Sequence, residues 1–292
     1  MPRPPFDAIH PIGIFDSGVG GLSVLRAIRA LMPGRPTLYF ADQAHVPYGP
    51  RSLEEVRSFS EAITRFLLEQ GAHIVVVACN AASAAALHFL RQQFPEIPFV
   101  GMEPAVKPAA ETTHTGVVGV LATPATFQGE LYASVVERFA AHVTLLQNTC
   151  PGLVAQIEAG ELDSPQTRAI LGKALGPMLE QGIDTVVLGC THYPFVIPLI
   201  QEIAGPGVRV IDPAPAVARQ TRRLLAALEA RQRRAGPSGG DSVPGSGMLR
   251  FFTSGPAAAL EALLPRLLGE ADSEFVGQVR QASWTGDLIT LE

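Results

Sequence analysis

Two short strings in this 292-residue chain end in side chains suited to moving a proton. VVVACN closes on Cys79 and Asn80, and VVLGCTH closes on Cys190, Thr191 and His192. Each puts a cysteine where a β-branched apolar run gives way to a polar turn, which in an α/β protein is the sheet edge that receives ligands. Cys79 precedes an Ala-rich helical stretch, and the positive end of that helix dipole acts to lower a thiol pKa from its ordinary value of about 8.5. Cys190 has His192 two residues on, a spacing that brings an imidazole to a thiol for acid/base or nucleophilic catalysis. Taken singly, each cysteine also reads as a small buried apolar residue. Their matched placement points to function, because burial has no reason to repeat it. Cys150, between QNT and Pro151, falls in a loop and reads as structural. Zinc held by Cys79, Cys190 and His192 would lack the CxxC or HxxxH pair that supplies two ligands from one segment, so no metal is expected.

Three further strings lie at strand ends. In FDSGVGGLSVL, Asp16 and Ser17 finish a strand and three glycines open a helix, whose backbone N–H groups can hold a carboxylate or phosphate while Asp16 accepts an ammonium or moves a proton. A tight turn that needs small residues explains the glycines equally well. GVGGLS lacks the GxGxxG spacing and no GKS or GKT follows, so nucleotide binding is not expected. In DQAHVPYGPRS, Pro47 to Pro50 form a rigid turn in which Gly49 offers its N–H at close approach. ATPATF puts Thr123 and Thr126 at a helix start, where Thr123 also reads as a plain N-cap.

The elements that must carry these residues alternate as in an α/β protein, apolar runs with longer amphipathic stretches. Strands are expected at 12–15, 37–41, 74–78 and 99–102, with helices at 22–31, 53–69 and 82–93. A second series has strands at 117–121, 143–147, 185–188 and 208–211, with a helix at 125–139 and helical segments through 181. The third strand of each series ends in a cysteine, the mark of a degenerate duplication. A long helix to about 233, a Gly/Pro/Ser-rich surface loop at 236–247 without a chemical role, a strand at 250–253 and a helix at 257–268 follow. This last pair is expected to complete the first sheet. The architecture is then two pseudo-symmetric open parallel-sheet α/β domains, residues 1–102 with 213–292 and residues 103–212, with the site in the cleft between them.

Composition fits a globular protein: 47% hydrophobic residues, a formal charge of -5 and a mean hydropathy of +0.23. Nothing in that balance supplies the basic field that nucleic acid binding requires. Three cysteines are too few and odd in number for a disulfide framework. The opening residues lack a signal-peptide core and no apolar run nears the ~20 residues of a membrane helix, so a cytoplasmic protein is expected.

Taken together, GIFDSGVGGLSVL, FADQAHVPYGPRS, VVVACNAAS, GMEPAVKPA, GVVGVLATPATF and LGCTHYPF resemble the glutamate racemase family, in order, from about Ile12 to Pro213, and FFTSG matches near the end. The resemblance implies a flavodoxin-like two-domain fold and cofactor-independent interconversion of L- and D-glutamate, feeding peptidoglycan synthesis. It implies Cys79 and Cys190 as the catalytic thiols, with Cys79 acting on D-glutamate and Cys190 on L-glutamate. Asp16 and His192 would assist them, and Glu158, in CPGLVAQIEAG, would act near the second thiol. An ionised Asp16 beside Cys79 would raise that thiol's pKa against the helix dipole, so the sequence leaves its protonation state open. Substrate contacts would come from Asp16, Ser17, Tyr48, Gly49, Asn80, Ala81, Thr123, Thr126, Thr191 and His192. Ala81 stands where the family usually has threonine, so it keeps a main-chain contact and loses a hydroxyl. A homodimer is implied and, for some members, binding to DNA gyrase. Removing the Cα proton from one face and returning one to the other suits two opposed bases, and no lysine falls in the matched strand-end motifs to form a pyridoxal phosphate Schiff base. Two rivals stand beside this reading: a racemase of the same superfamily acting on aspartate or another acid, and a two-lobed amino-acid binding protein with no chemistry.

Overall fold

The computed structural model describes residues 11–235, 249–269 and 279–292, and the loop expected at 236–247 lies outside the described residues. The first apolar runs form β1 (Ile12–Asp16), β2 (Thr37–Ala41) and β3 (Ile74–Val77), buried at every position as befits parallel strands covered on both faces. Between them α1 (Leu22–Leu31) buries Leu22, Leu25 and Ile28 and leaves Arg26 exposed. Next, α2 (Leu53–Glu69) starts from a Ser52/Glu55 capping box. Then come α3 (Asn80–Gln93), β4 (Phe99–Gly101) and α4 (Val106–Thr112). The second series runs β5 (Val117–Ala122), α5 (Pro124–Gln128), α6 (Glu130–Phe139), β6 (Thr144–Asn148), α7 (Leu153–Glu158), α8 (Pro165–Glu180) and β7 (Thr185–Gly189). A 3-10 turn at Tyr193–Val196, α9 (Ile197–Ala204) and β8 (Arg209–Ile211) complete it. The chain returns through α10 (Ala214–Ala235), β9 (Leu249–Thr253), α11 (Ala257–Leu268), β10 (Val279–Thr285) and β11 (Leu288–Leu291).

Among the described residues, one sheet has the order β11-β10-β9-β2-β1-β3-β4 and the other β6-β5-β7-β8. Without its three C-terminal strands the first sheet has the winding of the second, the second, first, third and fourth strands of each series side by side. Every neighbouring pair is parallel except β10 with β11. β9 pairs with β2, so the C-terminal strand does extend the first sheet as the sequence suggests.

Two features depart from expectation. The helix expected over 125–139 is two helices, broken at Gly129, whose backbone is extended and where a Cβ would lie 2.8 Å from Ala84 Cβ on α3. Close packing of α3 against the break overrides the helical periodicity on either side. The pair β10 and β11 is absent from the expected strands: β10 is largely polar, β11 is only four residues long, and only Ala282 of their residues is fully buried. Their signal is the Gly286-Asp287 dipeptide, a two-residue hairpin loop with Gly286 at φ 62° between Thr285 and its partner Leu288.

Alternation along β1 divides the core. Ile12 and Ile14 face a cluster that continues through Leu121, Leu171, Leu188 and Tyr193 of the second series. Phe15 faces the opposite side with Phe40, Phe66 and Phe252. One apolar core is thus shared by the two sheets, and it fixes their carboxyl edges relative to each other. No helix among the described residues is long and apolar enough to cross a membrane.

Candidate active site

In each sheet the chain leaves the first strand in one direction and reaches the third on the opposite side, which opens a crevice beyond their carboxyl ends. The two crevices meet in one small, partly open cavity. Ser17 enters it after β1, Cys79 to Ala81 after β3, Thr123 after β5, and Cys190 to His192 after β7. Pro47 to Gly49 from the turn after β2 and Val154 from α7 complete the wall. Both thiols therefore line the same small space, one from each sheet.

Cys79 is the N-cap of α3, 5% exposed, with its Sγ 3.9 Å from Ser17 Oγ. Burial, then the negative charge of Asp16, pushes this thiol well above its usual range, although the Ala82 backbone N–H pulls the other way. The helix dipole expected to lower it is therefore outweighed. Asp16 is fully buried and accepts from the N–H groups of Gly18 (3.2 Å) and Gly21 (2.9 Å) and from Thr191 Oγ1 (3.4 Å). Burial raises its pKa despite the opposing pull of His192. A carboxyl with a raised pKa beside a thiol is a natural proton acceptor for it.

Around Cys190 the charges have the opposite sign. His192 Nδ1 lies 3.7 Å from Cys190 Sγ, and Nε2 lies 2.5 Å from Glu158 Oε1. Burial alone would lower the His192 pKa, but contact with Cys190 and Glu158 raises it well above the usual imidazole range. Glu158 shows the complementary effect: burial would raise it, and the His192 contact with the Val19 N–H (2.8 Å) brings it down. An imidazolium donates from both nitrogens, so its Nδ1–H is directed at the sulfur. One thiol thus faces a carboxylate and the other a cation.

The glycines after β1 let this assembly close. A Cβ on Gly18 would collide with Glu158 Oε1, one on Gly20 would sit on His192 and 2.7 Å from Thr191 Oγ1, and one on Gly21 would lie 2.8 Å from Asp16 Cβ. None of the three needs a positive φ. Gly18 and Gly20 are small because side chains of the second series pack directly on this backbone, and Gly21 because Asp16, Tyr39 and Ala78 of its own sheet crowd it.

Of the residues singled out in the sequence, Ser17, Tyr48, Gly49, Asn80, Ala81, Thr123, Thr191 and His192 line the cavity with the two thiols. Asp16 and Glu158 stand one layer behind it. Thr126 also stands behind, 3.1 Å from Thr123 Oγ1 and bonded to the Gly189 carbonyl at 3.4 Å. Thr123 is the N-cap of α5, but its hydroxyl does not cap the helix. Both side-chain polar atoms of Asn80 are buried without a protein partner, a debt that a bound ligand can settle. Cys150 lies outside the wall, buried, with its thiol pushed up to about 12. Among the described residues no group of His, Cys, Asp or Glu could hold a metal ion.

Sequence reasoning passed over Val154, Gln43 and Asp42. Gln43 Nε2 reaches Glu158 Oε2 at 3.4 Å. Asp42, fully buried, accepts from Tyr48 OH at 2.6 Å. Burial, then this carboxylate, raises the Tyr48 phenol well above its usual pKa and keeps it a neutral donor. The available signal was position: Asp42 follows the end of β2 much as Asp16 ends β1.

The family model described as Asp/Glu/Hydantoin racemase matches residues 20–221. The chain is 52% identical over 262 residues to the glutamate racemase of Pseudomonas aeruginosa PAO1, covering 90% of this chain and 95% of that one. To the glutamate racemase of Roseiflexus sp. RS-1 it is 55% identical over 216 residues, 74% of this chain and 79% of that one. Among solved structures, Escherichia coli glutamate racemase in complex with L-glutamate and the activator UDP-MurNAc-ala aligns with a TM-score of 0.79 at 31% identity, covering 95% of this chain and 99% of that one. The Thermus thermophilus glutamate racemase in complex with β-chloro-D-alanine aligns with a TM-score of 0.73 at 36% identity, covering 95% and 98%.

Proposed function

From its membership of the Asp/Glu/hydantoin racemase family, to which this chain belongs among the glutamate racemases, we infer that it interconverts L- and D-glutamate by two-base proton transfer. The observation that carries this reading is the pair of thiols lining one cavity from two sheets. With L-glutamate bound, the Cys190 thiolate takes the Cα proton and becomes a thiol. The electron pair left on Cα delocalises into the adjacent carboxylate. Cys79, which its surroundings hold as a thiol, gives its proton to the opposite face and becomes a thiolate. D-glutamate leaves, and the reverse reaction exchanges the two roles. Asp16 accepts the proton of Cys79 when that residue must act as base, and His192, held by Glu158, serves Cys190 in the same way. Backbone N–H groups at Ser17, Asn80 and Thr191 and the unpartnered Asn80 amide hold the substrate carboxylates and the charge that develops on them. The chemistry needs no cofactor in this scheme. The product would supply peptidoglycan synthesis in the cytoplasm.

A racemisation has an equilibrium constant of one, so kcat/KM is the same in both directions and cannot assign the thiols. Exchange of the α-proton in heavy water can. Cys79→Ser should lose exchange from D-glutamate and keep it from L-glutamate, Cys190→Ser should do the reverse, and each should racemise at least ~10²-fold more slowly. Near-normal racemisation by either variant would refute the two-thiol scheme. Glutamate binding with no change in optical rotation by the parent would favour the binding-protein reading instead. The resemblance also supports a division into domains of residues 1–102 with 213–292 and 103–212, a homodimer that sedimentation would detect, and gyrase binding that a supercoiling assay would detect.

A further inference from the structure

Behind Tyr48, on the side away from the thiols, lies a polar cluster that the proton-transfer scheme does not use. Asp42 is fully buried and its two carboxylate oxygens are both taken. Oδ2 accepts from Tyr48 OH at 2.6 Å and from His45 Nδ1 at 2.9 Å. Oδ1 accepts from Ser254 Oγ at 2.6 Å and from Trp284 Nε1 at 2.9 Å, with His45 Nδ1 shared to it at 3.1 Å. The donors come from three parts of the chain: His45 and Tyr48 from the turn after β2, Ser254 from the end of β9, and Trp284 from β10. Ser254 Oγ also receives the Ala44 N–H at 3.0 Å, which ties the turn to β9 a second time. Aromatic packing sets the same parts side by side. His45 stacks on Phe59 with ring centroids 4.0 Å apart, and Trp284 meets both rings edge-on at 5.0 and 5.5 Å.

A buried carboxylate costs several kcal/mol of desolvation unless its oxygens are satisfied, and here that requires the C-terminal strands to be docked. Removing one donor leaves its oxygen with fewer partners and lets the carboxylate shift toward the remaining ones, and Tyr48 is the donor that also lines the cavity. Resting on the racemase reading above, we propose that Asp42 and Trp284 are positioning residues for substrate: the carboxylate transmits the docking of β10 to the Tyr48 ring and so fixes the wall of the cavity. Tyr48 holds no proton that moves in the reaction, so a displaced Tyr48 weakens the bound substrate and the transition state alike. The effect then falls on KM rather than on kcat.

The test compares the parent with Trp284→Phe, which keeps a ring and loses the N–H, and with Ser254→Ala, which loses the shortest Oδ1 bond. Each should raise KM for both enantiomers about five-fold and weaken calorimetric glutamate binding by a similar factor, with kcat within about two-fold of the parent. Tyr48→Phe should do the same, and adding Trp284→Phe to it should raise KM no further, since the carboxylate then has no hydroxyl to hold. Multiplying effects in the double variant, or unchanged KM and affinity in both Trp284→Phe and Ser254→Ala, would overturn the proposal. A parent that binds glutamate without racemising it would sink the functional reading while the affinities still judge the hub. A parent that neither binds nor converts it would end both.

Discussion

Cys79 meets a buried carboxylate and Cys190 an imidazole, so two residues of one type are given different charge environments by their neighbours. The His192–Glu158 pair supplies half of that difference, and its pH dependence can be worked out. The raised His192 pKa contributes stability that is complete below its unfolded value of about 6.5 and is lost as pH rises through the folded value. The lowered Glu158 pKa contributes stability present above about 4.5 and lost as pH falls through the folded value. Glu158→Gln should therefore cost most between about pH 4.5 and 6.5, roughly 2 kcal/mol because His192 can shed its charge, with the gap to the parent closing on either side. Urea titrations across pH would measure it. Gly20→Ala places a methyl group on His192, and a shift near 1 Å at a catalytic group typically costs about 10²-fold in rate. Steady-state kinetics on a variant that still folds would show that loss in kcat.

Between elements, polar contacts settle what apolar patterning leaves loose. Ser23 on α1 donates its hydroxyl to the Thr191 carbonyl at 2.9 Å, joining the first helix to the turn that holds Cys190. Ser23→Ala should lower stability by ~1 kcal/mol and leave a buried carbonyl with one partner fewer. At the entrance to β7, Asp184 gathers the Thr113 hydroxyl at 2.7 Å and the His114 and Thr115 N–H groups at 2.5 and 3.0 Å. Its limited burial would raise the pKa, but these bonds bring it down to about 2. The stability they confer is present above about 3.8 and lost as pH falls toward 2, and solvent screening holds it near ~1 kcal/mol. Asp184→Ala should remove that amount at pH 7 and almost nothing at pH 2, by chemical denaturation at each pH.

Across the whole molecule, the core shared between the sheets is what turns two crevices into one cavity. Leu188 on β7 is fully buried and belongs to the cluster that contains Ile12 and Ile14 of β1. Leu188→Ala should cost about 3 kcal/mol through the cavity it leaves. Trp284, the sole tryptophan, lies in the other sheet, so its emission reports whether that loss is felt there. A lowered urea midpoint by Trp284 fluorescence is the expected outcome. An unchanged midpoint would mean that the sheets unfold independently.

The sequence by itself determined the parallel strands, the strand-end placement of Asp16, Cys79 and Cys190, and the match of one series to the other. Each of these follows from local pattern: continuous β-branched runs, and polar residues where they stop. Only the tertiary structure decided the β10–β11 hairpin, whose short, half-exposed strands carry little beyond the Gly286-Asp287 turn to mark them, and the break at Gly129, which packing against Ala84 imposes. The sequence did not reveal why Gly18 and Gly20 are small, since the side chains they make room for, Glu158, Thr191 and His192, lie far along the chain. The sign of the Cys79 shift also escaped it. The helix dipole and the opposing charge of Asp16 are both legible in the motifs, whereas desolvation, the largest cause, exists only once the tertiary structure has closed water out.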